Sequence, residues 1–104
     1  MVTNPHVLEW TNPTLNTDNT AFDAANAMVG VTVYIDSLPA VSVPIGYANT
    51  LNLEMVSTFT SLPTGNHTLG LAVVAQGGTV GIESSTITFL RESTPAAPTN
   101  LILS

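Results

Sequence analysis

Residues 62–78 read LPTGNHTLGLAVVAQGG, and the rhythm inside this stretch decides the fold class. Pro63-Thr64-Gly65-Asn66 is a turn whose residues preset φ or accept positive φ. His67, Leu69, Leu71, Val73 and Ala75 then alternate with Thr68, Gly70, Ala72, Val74 and Gln76. A period of two sustained this long predicts a long strand with one face on a core. Gly77-Gly78 ends it with a second turn. The stretch therefore reads as the central strand of a β domain.

Shorter strands surround it. HVLEW at 6–10 points Leu8 and Trp10 one way and Val7 and Glu9 the other. GVTVYID at 30–36 directs Val31, Val33 and Ile35 inward and Thr32 and Tyr34 outward. Val41–Val43 is bracketed by Pro39 and Pro44, which predicts an edge strand, because proline cannot donate to an interior ladder. Leu51, Leu53 and Met55 alternate and predict a strand within Ile45–Met55. Phe59 and Leu62 lead into the central strand as core residues. Thr79–Leu90 supplies the last sheet strand, with Ile87 and Phe89 inward. The expected core is Leu8, Trp10, Val31, Val33, Ile35, Phe59, Leu62, Leu69, Leu71, Val73, Ile87 and Phe89. Between Trp10 and Met28 lies a long polar connection. Its Ala21–Met28 part is compatible with one or two helical turns, with Thr20 as N-cap and Asp23 at the third helical position. Several short strands separated by turns predict an all-β, antiparallel sandwich of about seven strands.

Composition narrows the function. A chain of 104 residues is one domain, able to bury roughly 60% of its unfolded surface. Only 8% of residues are charged, against about 25% in typical globular chains. Arg91 is the single Lys or Arg, and the net charge is -6. One cation cannot displace counterions from several phosphates, so nucleic acid is excluded as a partner, as is an anionic membrane surface. The absence of cysteine removes disulfides, thiolate chemistry and Cys-based zinc sites. The apolar runs fall far short of the roughly 20 residues that span a bilayer. The N-terminus carries no signal-peptide pattern. The chain is thus expected either to act without Sec export or to be a piece of a larger secreted protein.

HVLEW, VGVTVYID and FTSLPTGNHTLGLAVVAQGGTVGIES, in that order, resemble fibronectin type III and related bacterial immunoglobulin-like domains. Trp10 matches the family's strand-B tryptophan, and Val33-Tyr34-Ile35-Asp36 looks like its strand C. Leu62, Gly65 and His67-Thr68-Leu69 are similar to the L-x-x-G-x-[YH]-T-L lead into strand F. Gly81-Ile82-Glu83-Ser84 is similar to the glycine and Glu-Ser that precede strand G. His67 stands where many members place a corner tyrosine. The resemblance implies a sandwich over residues 1–93. It also implies a proline-rich lead and a strand A before strand B, where this chain has only Met1–Pro5. A similar segment, TPAAPTNLIL, instead stands at Thr94–Leu103. Residues 94–104 therefore read as a linker plus a strand-A-like segment, with Asn100–Leu103 as a C-terminal strand. Three explanations fit: the start of a following repeat, a return onto strand B within the chain, or addition to a neighbouring subunit. The last is favoured, and makes Leu101, Ile102 and Leu103 candidate subunit contacts.

Chemistry-bearing residues are sparse. His6 and His67 have no motif partner that would form a nucleophilic triad or a metal pair. Asp18, Asn19 and Asp23 lack the EF-hand spacing. Glu9, Glu54 and Glu83 form no recognisable carboxylate pair. No catalytic, metal or cofactor residue is assigned, and the chain reads as a non-enzyme. The leading expectation is a structural or decoration module of an assembled particle such as a bacteriophage virion, at the virion surface, with other protein subunits as partners. Weak contact with surface glycans would run through Tyr34 and Tyr47, the aromatics that the core does not need. The alternative is a spacer or accessory binding module of a secreted bacterial glycan-active enzyme or adhesin, at the cell surface or outside it.

Overall fold

In the computed structural model, which describes residues 1–104, the strand at the centre of the main sheet is the one on which the sequence reading turned. Seven strands occur in the order β1 (Val2–Thr3), β2 (Val7–Glu9), β3 (Met28–Ile35), β4 (Val41–Val43), β5 (Thr50–Asn52), β6 (Gly65–Ala75) and β7 (Ile87–Arg91). Two single-turn helices, α1 (Ala24–Ala27) and α2 (Ser57–Thr60), and a 3₁₀ turn at Leu53–Met55 complete the chain. One sheet has the order β1-β7-β6-β3-β4, and a second pairs β2 with β5.

The inward faces of β3 and β6 build the core. Val31, Val33 and Ile35 are fully buried, and Leu69 and Leu71 lie opposite them across the register Val33↔Leu71 and Ile35↔Leu69. Leu51, Leu53, Val56 and Phe59 close over this face from the β5 side and join the same cluster. Phe59 also meets Phe89 at 5.8 Å between ring centroids. The guanidinium of Arg91, the chain's single cation, sits 4.9 Å from the Phe59 ring centroid, a cation–π contact that caps this end of the core. β6 ends in the Gly77-Gly78 turn, where Gly78 donates to the Ala75 carbonyl and adopts φ +89°, a conformation open to glycine at no steric cost.

Several expectations need correction. The sheet is mixed, because β1 runs parallel to β7 with Val2 beside Phe89. The residues before β2 thus hold a strand that their length and composition did not announce. Ile45–Met55 is a strand only over Thr50–Asn52. The Asn52 side chain then accepts the Glu54 N–H and starts the 3₁₀ turn. That turn breaks the alternation, so Val56 is buried and Met55 exposed. Thr79–Leu90 is a strand only from Ile87. Before it the chain follows β6 irregularly, with Gly81 donating to Val73 and Ser84 to Leu71. Three residues thus oppose two on β6, a bulged pairing that breaks the ladder. Asp23, not Thr20, occupies the N-cap of α1, and it makes no side-chain cap bond. Thr20 is held instead by Asp18, whose Oδ1 accepts from its N–H and hydroxyl.

The C-terminal strand does not form within the chain. Residues 92–104 contain no regular element and are exposed throughout. Leu101 and Ile102 are 81% and 87% exposed, and Leu103 is fully so. The radius of gyration is 17.6 Å, against about 13 Å for a compact chain of this length, so the tail extends away from the body. Asn4 donates to the Leu90 carbonyl, and its Oδ1 accepts from the Glu92 N–H. The tail therefore leaves the body beside Asn4, at the end where β2 begins. Laid along β2 from there it would run parallel to β2, the slightly weaker of the two pairings.

Candidate functional site

A cleft of about 800 Å³ lies between β2 and the inward face of β6. One wall is Leu8 of β2 and Trp10 just after it; the floor is Leu69, Leu71 and Val73 of β6. Ile87 stands on the far wall. This explains why Ile87, expected in the core, is 57% exposed: it shares the inward face with Phe89, but nothing covers it. Leu8, Trp10 and Val73 are half-buried for the same reason.

The connection after Trp10 forms the cleft's rim. Trp10 Nε1–H donates to Asn12 Oδ1 at 2.7 Å, and Asn12 Nδ2 donates to the Ala48 carbonyl at 3.0 Å. The indole, which lines the cleft, is thereby held at its nitrogen edge. Beyond it, Phe22 N–H donates to the Thr14 carbonyl and Asn16 N–H to the Thr20 carbonyl, folding Thr14–Phe22 into a small hairpin. Leu15 and Phe22 of this hairpin also line the cleft. The sequence marked this connection as long and polar but gave no sign of the hairpin.

β2 also has an unpaired backbone edge. Leu53 N–H donates to the His6 carbonyl and Trp10 N–H to the Asn49 carbonyl. By the alternation of an antiparallel ladder, the backbone groups of His6, Leu8 and Trp10 face β5, and those of Val7 and Glu9 face the other way. No strand lies on that side. Open backbone and open apolar surface thus coincide along one line.

The titratable pair His67–Asp36 is a second cluster, and a structural one. Asp36 turns the chain after β3 at φ +48°. Its Oδ1 accepts the Thr68 N–H at 2.8 Å, and its Oδ2 lies 2.6 Å from His67 Nδ1. His67 Nε2 lies 2.8 Å from the Pro63 carbonyl oxygen. Both ring nitrogens face acceptors, which suits the doubly protonated imidazolium. The Asp36 hydrogen bond and then the Pro63 carbonyl hold the His67 pKa above its ordinary value, against burial and the Arg91 charge. Burial raises the Asp36 carboxyl, but the Thr68 N–H together with the bond and charge of His67 outweigh it and leave it lowered. His67 thus ties the turn before β6 to the turn after β3.

The glycan candidates lie elsewhere. Tyr34 is half-buried on the outward face of β3, paired with Gly70, over which the Glu83 carboxylate folds. Tyr47 is exposed in the connection between β4 and β5. Neither lines the cleft. Leu101, Ile102 and Leu103 are exposed in the tail and do not line the cleft.

Comparison with known proteins yields no match: no family model, curated protein or solved structure corresponds to this chain.

Proposed function

We infer that the chain is an immunoglobulin-like, non-catalytic structural module that works by joining other protein subunits in an assembled particle, as at a virion surface. The strand order supports the fold reading: β2 and β5 face a sheet in which β6 is flanked by β3 and β7, as strands B and E face C, F and G in that architecture. β1 on β7 then stands where the second half of strand A lies in that architecture.

The observation that carries the functional reading is the apolar cleft running beside the free edge of β2. A surface of this kind takes an extended peptide strand, whose backbone pairs with the edge while alternate side chains fill the groove. The His67–Asp36 pair supports a structural role, since its polar atoms are engaged by Pro63, Thr68 and each other. The sparsely charged surface, rich in Thr, Ser and Asn, leaves charge-free patches where subunits can meet. The extended tail with Pro95 and Pro98 supports a second reading, a spacer within a larger secreted protein.

Mass spectrometry of particles purified from the source tests the choice. The chain is expected in the particle fraction at a stoichiometry of many copies. Its absence there, with recovery from culture supernatant inside a longer polypeptide, overturns the particle reading in favour of the spacer.

A further inference from the structure

We propose that the cleft beside β2 is filled by the C-terminal segment Asn100–Leu103 of a second copy of this chain, added antiparallel to β2. The proposal rests on the subunit-joining reading above and names the partner. Four observations converge on it. The first is the match of needs. β2 leaves the backbone groups of Val7 and Glu9 unpaired, and the tail offers an unpaired backbone with three consecutive apolar side chains, all exposed. Both halves are costly to leave in water.

The second is pattern. In an extended strand Leu101 and Leu103 point to one face and Ile102 to the other. Two leucines then enter the groove over Leu71 and Val73. Ile102 falls on the outer face of β2, beside the exposed Val7. The third is charge. Copies carrying -6 each repel, so contact is best made where charge is absent. The tail from Ser93 to Leu103 has no ionisable side chain, and Glu9 is the one charged residue lining the cleft. The fourth is direction. The chain's own tail leaves at the end where β2 begins, so the direct path along β2 is the parallel one. A tail from another copy can arrive at the far end and run antiparallel, the better-paired geometry.

Each copy then both gives and receives a segment. Two copies can exchange tails reciprocally in a closed dimer, or many can join head to tail. One seated tail is a small contact beside the roughly 1,200–2,000 Å² of a specific interface, and giving and receiving doubles it.

The test uses the intact chain and Leu101→Asp/Leu103→Asp, whose changed side chains are exposed in the single copy and so leave its folding unaffected. Sedimentation over a concentration series should show oligomers of the intact chain and loss of them in the double variant, with an unchanged circular dichroism spectrum. Because the chain has neither cysteine nor a second tryptophan, two further readouts are clean. Ile102→Cys mixed with Val7→Cys or Glu9→Cys should give a disulfide between two chains on mild oxidation. A peptide spanning Thr94–Ser104, added to a chain lacking Thr99–Ser104, should shift Trp10 emission to the blue. A disulfide formed within a Val7→Cys/Ile102→Cys chain that stays monomeric would mean a return in cis and overturn the proposal. Oligomers that persist unchanged in the double aspartate variant would also overturn it, while leaving the subunit-joining reading intact. An intact chain monomeric throughout, with Trp10 silent to the peptide, overturns the proposal outright; the particle reading is then judged by mass spectrometry alone.

Discussion

Asp36→Asn isolates the charge in the corner that ties β3 to β6. Asparagine keeps the shape and tolerates the positive φ of this position. Its Oδ1 can still accept the Thr68 N–H, so its NH₂ group faces His67 Nδ1. The imidazole must then be neutral, with its proton on Nε2 toward the Pro63 carbonyl. Hydrogen bonds to charged groups contribute about 1.5–3 kcal/mol and neutral ones about 0.5–1.5. The Asp36 side chain is 33% exposed, so screening sets the difference near the low end, about 1 kcal/mol. In a domain of this size that lowers Tm by about 4–8 °C. The sign with pH follows from the direction of the shifts. His67 is raised above its ordinary value of 6.5, so its stabilisation is complete below that value and is lost as pH rises through the folded pKa. Asp36 is lowered from 3.8, so its stabilisation is complete above that value and is lost as pH falls through the folded pKa. The pair is therefore most effective between these two ordinary values. Urea unfolding should show the full penalty for Asp36→Asn at about pH 5.5 and a smaller one at about pH 9. Equal penalties at both pH values, or an NMR titration placing His67 at or below its ordinary pKa, would refute the imidazolium assignment.

Phe59→Ala should cost about 3–5 kcal/mol, since the ring is fully buried between Phe89 and the Arg91 guanidinium; denaturant midpoints measure it. Leu71→Ala should cost about 2 kcal/mol, the low end for a leucine, because its side chain ends at the open cleft. A loss below about 0.5 kcal/mol would mean that the faces of β6 are reversed. Gly30→Ala would drive a Cβ into the Val43 carbonyl oxygen and against Pro44 Cα. Both are backbone atoms that cannot swing aside, and a penalty of about 1–3 kcal/mol is expected in thermal unfolding.

The parts of the fold legible in the sequence were those where one face of a strand meets the core and the other does not. The alternation through His67, Leu69 and Leu71, and through Val31, Val33 and Ile35, fixed β6 and β3 and the faces they bury. Pro39 and Pro44 placed β4 at an edge, where it lies. What escaped was set by partners distant in sequence. Val2-Thr3 becomes a strand because Phe89 and Leu90 lie beside it, and two residues carry no period. Leu53–Met55 leaves the strand because one asparagine side chain caps a turn. The exposure of Ile87 was invisible because periodicity tells which way a side chain points, not whether anything lies there. The bond of His67 to Asp36 spans 31 positions, and no local pattern announces it. Of the cleft, the alternation of HVLEW and of β6 carried the faces that line it; the Thr14–Phe22 hairpin along its rim had no sequence signal.

The parallel pairing of β1 with β7 has a mechanical consequence. The tail continues directly from Arg91, so a load applied through a seated tail enters the body along the axis of β7. β7 is bonded on one side to β6 and on the other to β1. Ladder hydrogen bonds lie across the strand direction, so an axial pull shears both rows together and does not peel them one at a time. A hairpin edge strand pulled sideways would unzip bond by bond. The two-residue strand at the N-terminus thus acts as a clamp on the element that bears tension, and its removal should lower the force at which β7 slips more than it lowers the stability of the domain at rest.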